Sequence, residues 1–153
     1  MDHQFSGRIK VDFDQSFDQT VAAGHYTWVS RDVAAEFFPR SARGAVECEV
    51  RLFHFDQFGS SEEVVRKISE ADKAHPWEPG KWEHVLAIGA QHPKEQTKSP
   101  IPGLGSVAMI GGRRGVLCLY GGGTKRNIRV DPWEGDWALS FGFLAVRPIK
   151  ASA

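Results

Sequence analysis

Between positions 96 and 130 the chain has no aspartate or glutamate, yet Lys98, Arg113, Arg114, Lys125, Arg126 and Arg129 all fall inside that run. Arg113 and Arg114 follow Gly111-Gly112, and Lys125 and Arg126 follow Gly121-Gly122-Gly123-Thr124. Turns this rich in glycine would bring the paired cations, with Arg129 behind them, to hairpin tips free of competing carboxylates. Such a cluster attracts phosphate or nucleic acid. The glycine run lacks the Gly-x-x-x-x-Gly-Lys spacing of a phosphate-binding loop. The plainer alternative is that the tips are solvated and their charges answer Glu47, Glu49 or the acidic faces of helices.

Tryptophan supplies the second kind of chemistry, because indole joins a large apolar area to a hydrogen-bond donor. Trp77 and Trp133 lie in proline-containing loops, where an aromatic is hard to bury, and are expected to contact a partner; anchoring each loop to its own core is the competing role. Trp82 belongs to a helical stripe and is expected in the core. Among the histidines, His84 lies nearly opposite that stripe and is expected at the surface. No His-x-x-x-His or comparable ligand spacing exists, so no metal or cofactor is expected. Ser106 lacks the second glycine of a nucleophile elbow. An enzymatic pocket would have to be assembled from Asp12, His54 and an arginine at a tip. Asp12 and Asp14 share a strand face with Arg8 and Lys10, which reads as solvated surface.

These groups need elements to position them. Positions 138–146 read Ala-Leu-Ser-Phe-Gly-Phe-Leu-Ala-Val, which as a strand is apolar on both faces and belongs inside a sheet covered on each side. Positions 6–13 and 45–55 alternate as half-buried strands, with Ile9, Val11 and Phe13 on one side of the first and Val46, Cys48, Val50 and Leu52 on one side of the second. Ser16 with Gln19, and Ser60 with Glu63, are capping boxes that open helices. The second of these carries Val64, Val65, Ile68 and Ala71 at helical spacing, with Glu62–Arg66 and Glu63–Lys67 pairs on its wet side. Trp82, Val85, Leu86 and Gly89 mark another helix. Positions 25–38 read as irregular with one short helix, and 94–102 as loop. Strands at 104–110, 116–120, 128–130 and 137–147 have connections too short for a crossover helix, so they pair antiparallel.

At 153 residues, 41% of them apolar and with 19 basic residues against 19 acidic ones, the chain is the size of one globular domain spanning 1–153. It has no apolar run of the roughly 20 residues a membrane span needs, and Met-Asp-His-Gln-Phe is not the start of a leader peptide. A cytoplasmic location is expected. Cys48 and Cys118 stand alone and read as buried thiols.

Val11-Asp12-Phe13-Asp14 leading to Ala23-Gly24-His25-Tyr26-Thr27-Trp28-Val29, then Ile101-Pro102-Gly103-Leu104-Gly105-Ser106 and Phe143-Leu144-Ala145-Val146-Arg147, together resemble a family of small bacterial proteins. That resemblance spans most of the chain and brings no catalytic residue with it. A helix before a glycine-rich antiparallel end that finishes in an aromatic strand and Val-Arg is also similar to the C-type-lectin-like fold.

The expected fold is α+β: a mainly antiparallel sheet of five or six strands, with the 138–147 strand central and two main amphipathic helices, near 61–72 and 80–91, packed on it. The expected function is that of a non-enzymatic binding or accessory protein, recognising a protein partner or assembly through the C-terminal tips and the tryptophan loops. A nucleic-acid or phosphate-binding module using the same tips is the alternative, and an enzyme with the dispersed Asp/His/Arg pocket is the third reading. No membrane partner is expected.

Overall fold

The alternation of Ile9 and Val11 with Arg8, Lys10 and Asp12 forms strand β1 (Ser6–Asp12) in the computed structural model, which describes residues 5–57 and 59–149. Met1 to Gln4, which begin the stretch read for a leader peptide, lie outside the described residues. Ser16 then caps α1 (Phe17–Ala22): its hydroxyl accepts from Gln19 N–H, and the Gln19 side chain accepts from Ser16 N–H, the reciprocal box the sequence carries. The segment expected to be irregular hides a two-residue strand, β2 (Trp28–Val29), before a 3-10 turn at Ala35–Phe37. β3 (Ala45–Phe53) buries Cys48, Val50 and Leu52 as expected, whereas Val46, expected on the same covered face, is exposed where the strand begins.

β4 (Gly59–Ser60) leads into α2 (Ser61–Glu70), capped by the Ser60 hydroxyl. Its wet side is wired differently from the expected pairs. Arg66 turns to Glu70, and Glu62 instead accepts from the Trp133 indole at 2.7 Å. β5 (Glu78–Pro79) precedes α3 (Trp82–Gln91), which is buried from Trp82 through Gly89. α4 (Glu95–Lys98) interrupts the expected loop. Then come β6 (Ile101–Pro102), β7 (Ala108–Ile110), β8 (Arg113–Gly122), β9 (Lys125–Pro132), β10 (Asp136–Trp137) and β11 (Phe143–Pro148).

The strands do not make a single sheet. β1, β3, β11 and β5 form one antiparallel sheet in that order, and β2, β9, β8 and β6 form a second, in which β7 also pairs with β8. β10 and β4 make a separate pair. The α+β class holds, whereas the one five- or six-stranded antiparallel sheet is corrected to several, and β2 runs parallel to β9. The physical reason lies in 138–142. There Phe141 N–H donates back to Ala138 O, and Gly142 N–H donates to Pro100 O. The backbone groups a strand would need are thus used in a turn, and β11 starts only at Phe143, beside β3 instead of β9.

Once started, β11 is apolar on both faces. Leu144 and Val146 join Ile9, Val50, Leu52, Leu86, Leu117 and Ile128 in a core between the two sheets and α3. Phe143 and Ala145 join Phe53, Val64, Ile68, Trp77, Val116 and Trp137 in a second core under α2. The stretch Phe143–Val146, shared by two cores, accepts no charge on either face, and the first charge of the strand, Arg147, comes only beyond it.

α3 is enclosed between β1, β8 and β11, so the expectation that His84 faces water is overturned: it is 8% exposed. Its Nδ1 accepts from Lys81 N–H at 2.9 Å, filling the role of a cap, and its ring packs edge-on to Phe13. Burial, with Lys81 adding to it, pulls its pKa down to about 4. The neighbouring Glu83 carboxylate is buried too and accepts from Ser41 N–H at 2.8 Å and Ser41 O–H at 2.7 Å. At the far end of α3 the Gln91 amide lies along the open edge of β1, accepting from Lys10 N–H and donating to Lys10 O at 2.7 Å. A side chain there takes the place of a neighbouring strand. No helix among the described residues is long and apolar enough to cross a membrane.

Candidate binding face on the second sheet

Residues two apart on a strand share a face. On β9, Arg126, Ile128 and Val130 look inward, Ile128 being fully buried, so Lys125, Asn127, Arg129 and Asp131 look outward. On β8 the same face carries Arg114, Val116, Cys118 and Tyr120, of which Val116, in the second core, and Cys118 are fully buried, and the register sets Tyr120 opposite Asn127 and Cys118 opposite Arg129. Trp28 on β2 stands beside Asn127 from the other side. One row of the sheet therefore reads Trp28, Asn127, Tyr120.

The side chains confirm the row. The Trp28 and Tyr120 rings meet at 77° with centroids 6.4 Å apart, and the Arg129 guanidinium lies 4.2 Å from the Tyr120 ring centre. Arg129 Nε is also 2.8 Å from Asp131 Oδ1. Trp28 is 51% exposed, the only tryptophan among the exposed large hydrophobics of the described residues. Beneath it, Asn127 Oδ1 is buried and accepts no hydrogen bond from the described residues. An aromatic corner with a neutralised arginine along one wall can stack a planar group. From Arg129 and Asp131 a groove of about 240 Å³ continues past Trp137 and Phe141.

The cations expected to cluster are placed apart. Gly111 and Gly112 at one tip, and Gly123 at the other, take the positive φ that such turns require. The tips lie at opposite ends of the 10-residue β8, and at about 3.3 Å per residue they stand roughly 30 Å apart. Arg113 is exposed at the first tip, but Arg114 donates from Nε to Glu134 Oε1 at 2.8 Å and covers the Trp133 ring. Lys125 is exposed at the second tip and makes no ion pair among the described residues. Arg126 points inward. It donates to the carbonyls of Gly24, Gly89 and Pro93 and to Gln96 Oε1, with the Tyr26 ring against its guanidinium. That desolvated setting holds the Tyr26 phenol up at about 12, with Arg126 pulling the other way. The single phosphate-attracting cluster is thereby corrected to separated cations, of which Lys125 stands next to the aromatic corner.

The tryptophans chosen for contact are likewise corrected. Trp77 and Trp133 are 5% and 9% exposed. Trp77 packs against Phe53 beneath Arg147, whose guanidinium sits 3.9 Å from its ring centre and donates to Glu49, Asp72 and the His75 carbonyl. Trp133 is pinned by Glu62 and Arg114. A proline loop does not keep an indole wet when partners for its N–H and its ring face are within reach. Trp82 is core, as expected.

The Asp12, His54 and tip-arginine pocket does not assemble. Asp12 is opposite Ala45 at one end of β3, while His54 follows Phe53 at the other end, against Gly142 and Ser99. Asp12 Oδ1 accepts from Asp14 N–H and is occupied in its own turn. No group of three or more His, Cys, Asp or Glu among the described residues could hold a metal ion. Cys48 and Cys118 are buried; burial first, then nearby carboxylates, raises both thiols, that of Cys48 to about 11. Trp28, Asn127 and Tyr120 were not legible as a site because β2 is too short to show alternation; the inward Ile128 and Val130 were the available signal.

No protein-family model matches the chain, and no characterised protein or solved structure does either.

Proposed function

We propose that this is a binding protein that recognises a macromolecular partner, with its contact surface on the outer face of the second sheet around Trp28. The reading keeps one C-terminal tip, that of Lys125, and replaces Trp77 and Trp133 by Trp28. One observation carries it: a half-exposed indole on an edge strand, packed against Tyr120, whose ring is in turn covered by Arg129. Trp, Tyr and Arg are the side chains that dominate contact energies at interfaces, because each offers large area with few rotatable bonds or many donors. Here all three are adjacent and ordered before any partner arrives, which lowers the entropy lost on contact.

The test is a photo-reactive amino acid placed at position 28 or, as a control, at Val46, which is exposed on a different sheet. In cell extract, position 28 should give an adduct that excess unlabelled protein suppresses and the Trp28→Ala variant does not. No adduct at position 28, or the same adduct from Val46, removes the proposal.

A further inference from the structure

We infer that the partner of the Trp28 face is a single-stranded nucleic acid, one base stacking on Trp28 and its phosphate lying toward Lys125. The inference rests on the binding reading above and names its partner. Every nucleobase has a flat π-face, and an exposed aromatic on a sheet is the surface that unpaired bases use. The Trp28 indole is open to such a base, while its neighbour Tyr120 is already covered by Arg129, so the face offers one stacking platform. The amide of Asn127 lies in the same row, but its oxygen is buried beneath the surface, so what the face offers a base is the open side of the Trp28 indole.

Charge fixes the direction. Lys125 stands on the same face of β9 one step beyond Asn127, exposed and without an ion pair among the described residues, and so is available to a phosphate. In the opposite direction the groove passes Asp131 and Glu134, whose carboxylates already occupy Arg129 and Arg114, and then Asp136, which repels phosphate. The strand therefore leaves across the Lys125 tip, and the contact is short. A duplex keeps its bases stacked internally and cannot offer one to the indole.

The four remaining tryptophans are buried, so collisional quenching reports mainly on Trp28. Titration with oligo(dT) or poly(U) at low salt should quench its emission. Trp28→Ala should weaken binding, read by anisotropy of a labelled oligonucleotide, by at least about 10-fold, the scale of one base–aromatic stack. Trp28→Phe should restore part of it, and Met109→Ala, on an exposed residue remote from the Lys125 tip, should leave it unchanged. With one or two phosphates engaged, the logarithm of the binding constant should fall with a slope of about −1 against the logarithm of salt concentration, and Lys125→Ala should flatten it. A blunt duplex of equal length should bind at least about 10-fold more weakly. Absence of quenching by either single strand, equal binding of the duplex, or binding indifferent to Trp28→Ala overturns the inference. If position 28 crosslinks a protein while oligonucleotides do nothing, the nucleic-acid partner is wrong and the binding face stands; if neither responds, both fall.

Discussion

His84 shows how a single buried side chain makes folding depend on pH. Its folded pKa of about 4 lies below the usual 6.5, so between those values the unfolded chain binds a proton that the folded chain refuses. Stability from this group is complete above pH 6.5 and falls as pH drops toward 4, by about 3 kcal/mol at the bottom of the window. Urea titrations from pH 7 to pH 4 should show that decline, and in His84→Gln it should flatten; an unchanged slope would mean other groups set it. Arg126 acts through geometry instead of titration. Its guanidinium joins the carbonyl at the end of α1 to carbonyls around the end of α3, and Arg126→Ala leaves those acceptors unpaired. A loss of about 3 kcal/mol in chemical denaturation is expected, because several charge-assisted bonds vanish together.

At the scale of elements, α2 and the segment from β9 to β10 are tied by one buried hydroxyl. Ser61 Oγ donates to Trp133 O at 2.7 Å and accepts from Trp137 Nε1 at 2.8 Å. Ser61→Ala keeps the shape and strands both partners, so a loss of about 2 kcal/mol is expected in thermal or urea unfolding, with emission from Trp137 shifting to the red. Local signals in the sequence read these elements well where period and cap agree: β1, β3, α1, α2 and α3 lie where alternation, Ser16, Ser60 and the Trp82 stripe place them. Legibility ended where long-range contact decided the outcome. Nothing near positions 138–142 announces that Pro100 will claim Gly142 N–H and delay β11, and a two-residue strand such as β2 has no period to read. The burial of His84 and Glu83 needed the knowledge that α3 is covered on every side, a property of its neighbours and not of its own spacing.

For the molecule as a whole, the two cores share β11, and the binding face lies on the far side of the second sheet from the core that both sheets enclose. The site joins Trp28 on β2 to the outer side of the β8–β9 hairpin, and it was the part least visible in the sequence: exposure, unlike burial, leaves no periodic trace around Trp28. The Gln91 amide against the rim of β1 has a separate consequence for how the protein ages. Hydrolysis of that amide to an acid would remove the donor to Lys10 O and set a negative charge against it, leaving a strand rim ready to recruit another chain. Gln91→Glu reproduces the aged form: stored concentrated, it should accumulate oligomers on size exclusion sooner than the parent, and identical elution profiles over weeks would show that the rim is guarded by something else.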